Sequence, residues 1–271
     1  MISRAVSELW FSSRARRPLA ALQLFCLPYA GGGASVFAAW PRALGENIEV
    51  NAVALPGRER RMAEEPAVDL RAVAEAIAAR ADRPYALFGH SMGAILAFEV
   101  ARELRRAGST LPVRLFVSGC QAPDLPRVDI AYAGLSEADD DELLDRLVAG
   151  GGLPAEIMAE RELLALLIPV FRADFVWLDG YVYREEPALP IPVTAFAGAD
   201  DESAPPEAVD HWRTHTTADF GLHVLSGGHF FLKNHLDTLG EVICADSHVR
   251  VQTGPATPAA NRKSYVEHID A

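Results

Sequence analysis

The sequence predicts an α/β fold: a mostly parallel central sheet, helices on both faces and a helical lid inserted late in the chain. Three observations carry that reading. Short apolar runs alternate with segments of helical spacing, the pattern of a buried parallel sheet. One strand-to-helix junction, "LFGHSMGA" (87–94), sets a serine between two glycines. The alternation then stops over 124–180, where the sequence is mostly helical, and resumes at 191.

Residues 1–18 are polar and arginine-containing and are expected to form an N-terminal arm on the surface of a domain spanning 19–251. "ALQLFCLP" (21–28) reads as a buried strand, "YAGGGAS" (29–35) as a glycine loop, and a helix is expected near 35–45. "IEVNAVAL" (48–55) is a second strand, followed by the polar connection "PGRERRMAEEPAV". Leu70, Val73, Ala74 and Ile77 fall at helical spacing, which predicts a helix over 69–80. "YALFG" (85–89) is a third strand, a helix over 92–107 ends at Gly108, and "VRLFVSG" (113–119) is a fourth strand.

In the interrupting block, "SEADDDELLDRLVAG" reads as a helix with Ser136 as N-cap and acidic residues in its first turn. "AERELLALLIPVFRADFVWLDGYVY" is apolar and aromatic. A helical insertion over the C-terminal ends of the strands acts as a lid. "IPVTAFAG" (191–198), a helix near 205–215, "GLHVLSG" (221–227), a glycine-flanked histidine and a last helix complete the domain. Residues 252–271, rich in Thr, Pro, Ala and charge, are expected to be a disordered tail.

Composition narrows the function classes. The net charge of −12 and pI near 5.1 argue against a nucleic-acid partner. No apolar run is long enough to span a bilayer. The basic clusters "GRERR" (57–61) and "RELRRAG" (102–108) read as solvated faces. Cys26, Cys120 and Cys244 lie far apart without CxxC spacing, so neither a disulfide framework nor a zinc site is expected, and the first two read as buried thiols. A reducing cytoplasm fits this cysteine usage.

Gly89-His90-Ser91-Met92-Gly93 fits G-x-S-x-G, and its placement between a strand and a helix is the setting of a nucleophile elbow. A serine hydroxyl needs a base oriented by a third group, and in this arrangement the chain order is Ser, acid, His. "AGADDESAP" (197–205) ends one strand and carries Asp200 and Asp201; Asp201 is preferred because it stands past the turn. "SGGHFFL" (226–232) ends the next and carries His229. The candidate triad is therefore Ser91, Asp201 and His229. Backbone N–H groups of Met92 and Ala30 are the expected oxyanion donors, with Tyr29 or Gly31 as alternatives to Ala30. The glycine loop lacks the lysine of a phosphate-binding P-loop.

Other histidines carry weaker readings. His90 is expected to pack. His211 and His215 form HxxxH, but Trp212 stands where a metalloprotease helix needs glutamate. His223 and His235 have no glycine turn around them.

Together "LPYAGGGAS", "LPGRERR", "LFGHSMGA", "IPVFRADF" and "GGHFFL" resemble the type II thioesterases that accompany polyketide synthases and nonribosomal peptide synthetases. The resemblance runs over roughly residues 10–245 and implies the α/β-hydrolase fold. It implies hydrolysis of stalled or aberrant acyl thioesters from the phosphopantetheine arm of acyl or peptidyl carrier proteins, through an acyl-serine. It supports Ser91, Asp201 and His229 as the triad and Met92 and Ala30 as donors. "DDESAP" departs from the family, which usually has proline and valine soon after the aspartate. No cofactor or metal of its own is implied, and the chain is expected to be a cytoplasmic monomer touching neither nucleic acid nor membrane. A start at Met1 with a short arm favours this editing type over a product-releasing thioesterase; a general carboxylesterase is the other alternative. Phe171, Phe175 and Trp177 are candidates for the acyl pocket, although an aromatic stripe is more often core, and Arg58, Arg60 and Arg61 are candidates for carrier docking.

Overall fold

The computed structural model describes residues 8–12, 16–126, 132–251 and 266–268. Eight strands lie within them: β1 (Phe11–Ser12), β2 (Leu22–Leu27), β3 (Ile48–Val53), β4 (Tyr85–His90), β5 (Arg114–Ser118), β6 (Val193–Gly198), β7 (Phe220–Leu225) and β8 (Val266–His268). They form one sheet in the order β1-β3-β2-β4-β5-β6-β7-β8, parallel throughout except for β1 on β3. Strands β2 to β6 are buried along their whole length, as parallel strands covered on both faces must be.

The helices are α1 (Trp40–Ala43), α2 (Leu70–Arg80), α3 (Met92–Arg106), α4 (Asp140–Ala149), α5 (Arg161–Asp179), α6 (Pro206–Asp210) and α7 (Leu236–Val251). Two apolar clusters fill the two sides of the sheet. One joins Phe25, Leu87 and Val117 to α2, α3 and the lid helices. The other joins Leu24, Phe88 and Phe116 to Trp40 of α1 and to Leu239 and Ile243 of α7. Asp69 caps α2 by accepting the N–H of Ala72.

The chain leaves β2 for β3 on one side and returns to β4 on the other. The sheet therefore changes winding direction between β2 and β4, and the loops leaving these two strands open a crevice at their C-terminal ends. That crevice receives Ser91 from β4 and the glycine loop from β2.

Several expectations change. The helix expected near 35–45 is a 3₁₀ turn, Ala34–Phe37, followed by the four-residue α1 with Pro41 in its first turn. The first lid helix is capped by Asp139, whose side chain accepts the N–H of Glu142, and not by Ser136. In the arm, Trp10 and Phe11 are buried and β1 pairs with β3; residues 1–7 and 13–15 lie outside the described residues. Of the tail read as disordered, Val266–His268 pairs with β7, and 252–265 and 269–271 lie outside the described residues.

Candidate active site

Ser91 closes β4 and opens α3 with φ 55° and ψ −121°, a left-handed conformation that a residue with a Cβ adopts only under constraint. The constraint comes from both neighbours. A Cβ on Gly89 would strike the backbone of Gly93, and a Cβ on Gly93 would strike the Leu27 carbonyl, so both glycines let chains pass at backbone contact. The Ser91 N–H donates to Ser118 O at 2.8 Å, tying the turn to β5.

His229 Nε2 lies 2.9 Å from Ser91 Oγ, and His229 Nδ1 lies 2.8 Å from Asp201 Oδ2. An Nδ1–H donated to Asp201 leaves Nε2 as acceptor for the serine hydroxyl. Asp201 is buried, and its other oxygen accepts the N–H groups of Ser203 (3.0 Å) and Ala204 (3.2 Å). The "DDESAP" turn thus supplies two donors that fix the carboxylate. Asp200 is exposed, and its backbone N–H donates to Gly227 O.

His90 packs, as expected: it is fully buried, its Nδ1 lies 2.9 Å from Ser118 Oγ, and its ring lies 5.2 Å from that of His229. Burial pushes its pKa well below the ordinary imidazole value, with the neighbouring His229 adding to the effect. The group beneath His229 is therefore neutral and sets no positive charge against a forming imidazolium.

Tyr29–Gly32 is a turn closed by Gly32 N–H on Tyr29 O at 2.9 Å, with Gly31 at φ 76° in the third position, the geometry of a type II turn. Gly31 N–H donates to Asp174 Oδ2 at 2.7 Å and so is turned away from the serine. Ala30 lines the cavity with Ser91, and Met92 is the first residue of α3, whose N–H has no intrahelical acceptor.

Asp174, on α5, is fully buried and forms two hydrogen bonds with Arg58, Nη1 to Oδ2 at 2.7 Å and Nη2 to Oδ1 at 2.8 Å. Arg58 Nη1 also donates to Gly32 O. The basic cluster at 57–61 is thus solvated only in part, at Arg60. Arg58 is buried; Arg61 is buried over the Trp10 ring and paired with Glu64; Arg60 donates to the backbone carbonyls of Glu8, Leu9 and Phe11. Nor is the second cluster solvated at Arg102, which is buried and pairs with Glu99 and Glu186. One sequence signal marks Asp174: it falls in register with Val170, Phe171, Phe175 and Leu178, on the buried stripe of α5. A carboxylate there requires a partner.

A cavity of about 90 Å³ opens over Ser91 and His229, lined by Ile95, Ala122, Phe175, Leu178 and Tyr181 among others. Of the three aromatics offered as pocket candidates, Phe175 lines it, and Phe171 and Phe175 both belong to the core, the reading favoured for the stripe. Phe171 packs against Gly31, and Trp177 faces a cleft on the other side. Cys120, expected to be buried, is half-buried in the cavity wall. His211 and His215 both meet Asp124, at 3.1 and 2.7 Å, and clasp the loop that leads from β5 into the lid.

The thioesterase-domain family model matches residues 22–246. The gramicidin S biosynthesis protein GrsT of Aneurinibacillus migulanus is 36% identical over 87% of this chain and 92% of its own length. The thioesterase PikA5 of Streptomyces venezuelae is 36% identical over 84% and 82%. Among solved structures, the type II thioesterase BorB from the borrelidin biosynthetic cluster superposes with a TM-score of 0.78 at 36% identity, over 89% of this chain and 98% of that one. A match that takes in the serine turn, the lid and the histidine loop together, with relatives of nearly the same length, means that the chain belongs to the thioesterase-domain family.

Proposed function

We propose that this thioesterase hydrolyses stalled or aberrant acyl groups from the phosphopantetheine arm of carrier proteins of a polyketide or nonribosomal peptide synthase. The observation that carries the reading is the continuous Ser91–His229–Asp201 hydrogen-bond chain at the mouth of an apolar cavity, in a chain related over most of its length to type II thioesterases.

His229 Nε2 takes the Ser91 proton as Oγ attacks the thioester carbonyl, and Asp201 holds the imidazole and stabilises its charged form. Negative charge moves to the carbonyl oxygen, where the Met92 and Ala30 N–H groups receive it. The C–S bond breaks, the sulfur takes the proton from His229, and the arm leaves as a thiol. Water enters, gives its proton to His229 and attacks the acyl-serine; the free acid and Ser91 Oγ–H result. The reaction consumes only water and draws on no redox or metal chemistry.

The test is release of a propionyl group from a phosphopantetheinylated carrier protein, beside the same acyl group as a small thioester and as an oxygen ester. Ser91-dependent release, fastest from the carrier, is the expected result. Equal or faster hydrolysis of the oxygen ester would make the chain a general esterase.

A further inference from the structure

The cavity over Ser91 and a separate cleft outside the lid share one lining residue among those described, Tyr181. The cleft measures about 690 Å³; Val176, Trp177 and Val182 border it on the lid side, with Val176 and Val182 largely exposed, and charged side chains, among them Arg102, Arg106 and Glu186, border it on the other. Helix α3 fixes where Tyr181 stands. Ser91 precedes its first turn, Ile95 lines the cavity one turn on, and Glu99 follows one turn later. At 1.5 Å per residue, Glu99 stands about 12 Å along the helix from Ser91. The Tyr181 hydroxyl donates to Glu99 Oε1 at 2.8 Å, and Glu99 is held in turn by the buried Arg102 at 2.7 Å. The Trp177 ring, tilted at 32° with its centroid 6.0 Å away, backs the phenol on the cleft side.

We propose that Tyr181 is the residue that sets the upper limit of acyl length: its ring is the end wall of the acyl chamber and separates it from the outer cleft. The proposal rests on the thioesterase reading of the site. A cavity of 150 Å³ takes benzene, so the 90 Å³ here suits an acyl chain of about three or four carbons. Removing the ring joins the chamber to the cleft, where the apolar lid-side residues Val176, Trp177 and Val182 then receive the distal carbons of a longer chain.

The experiment measures kcat/KM for N-acetylcysteamine thioesters from acetyl to decanoyl. Wild type is expected to fall off beyond butyryl. Tyr181→Ala should raise the octanoyl-to-propionyl ratio at least tenfold, whereas Tyr181→Phe, which keeps the ring and loses the hydroxyl, should keep the wild-type profile. Tyr181→Leu is the smaller truncation should the alanine variant not fold, and Ile95→Phe, narrowing the chamber nearer Ser91, should shift the profile the other way. A folded Tyr181→Ala or Tyr181→Leu enzyme with the wild-type profile overturns the proposal, as does a Tyr181→Phe profile matching the truncations. A wild type inert toward every thioester would instead overturn the thioesterase reading, a result distinct from an unchanged profile.

Discussion

Asp174 of the lid helix and Arg58 of the loop after β3, 116 residues apart in the chain, form a buried two-bond ion pair, and both also hold the turn that carries Ala30. Asp174 takes the Gly31 N–H and Arg58 donates to the Gly32 carbonyl, so the charge pair grips the Ala30–Gly31 and Gly32–Gly33 peptide groups. A buried ion pair is weak evidence of net stabilisation, because desolvation of both charges offsets their attraction. What it does supply is a fixed orientation for the turn, and through it for Ala30, the proposed oxyanion donor.

Replacing both charges separates the two roles. Arg58→Met with Asp174→Leu removes the desolvation cost along with the attraction, so unfolding free energy should stay near wild type. The turn loses both of its anchors, and kcat for a small thioester should fall about 10- to 100-fold, less than or equal to the loss of one oxyanion donor, with KM little changed. Asp174→Asn alone leaves Arg58 buried without its countercharge and should be clearly destabilised. Steady-state kinetics and urea unfolding of the double variant decide the matter; full kcat would mean the pair merely joins lid to body.

The same pair shows why some of this site could be read from sequence and some could not. Ser91, Asp201 and His229 each sit at a strand end with turn residues beside them, so local signals and chain order brought Ser91 and His229 forward and left Asp201 preferred over its neighbour Asp200. The role of Arg58 depends on a partner in a distant lid helix, and three arginines in five residues look like surface charge until that partner is placed. The stripe on α5 that contains Asp174 did carry a signal, since a carboxylate among Phe171, Phe175 and Leu178 must be paired. The strands were legible because buried parallel strands are short continuous apolar runs. The first lid helix has acidic and hydroxyl residues at 136, 139, 140 and 141, any of which fits a cap; tertiary contacts chose Asp139, and Ser136 N–H turned instead to Asp179.

Neighbouring aspartates should behave very differently. Asp201→Asn keeps the shape but replaces the acceptor of the His229 proton with an amide that can present N–H, favouring the wrong tautomer. A loss in kcat of about 10⁴-fold is expected. Asp200→Asn is exposed and contributes only backbone to the turn, so activity should change about twofold or less. Comparable losses in both variants would mean that the carboxylates act as one unit.

Backbone strain at Ser91 should be measurable apart from chemistry. Ser91→Ala and Ser91→Gly both remove the hydroxyl and its bond to His229, so they differ chiefly in tolerance of φ 55°. Relief of a strained backbone is worth about 1–3 kcal/mol, against roughly 0.5–1 kcal/mol for the greater freedom of glycine in the unfolded chain. The glycine variant should therefore be the more stable of the two by about 1 kcal/mol in urea unfolding. Equal stability would show that the turn carries no strain.

Acid should weaken the fold through Glu186, which accepts from Arg102 at 2.8 Å, Arg105 at 2.7 Å and Arg106 at 2.6 Å and so fastens the segment before β6 to α3. Partial burial pushes its carboxyl up, but the three guanidiniums outweigh that and bring it down to about 2. A carboxylate whose pKa is lower folded than unfolded stabilises fully above its unfolded value, near 4.5, and loses that contribution as the pH falls through the folded value. Glu186→Gln should therefore be less stable than wild type at pH 7, with the gap closing between pH about 4.5 and about 2. Urea unfolding of both at a series of pH values reads it directly, and a gap that stays constant down to pH about 2 would mean that the cluster holds by packing of the arginine stems rather than by the carboxylate's charge.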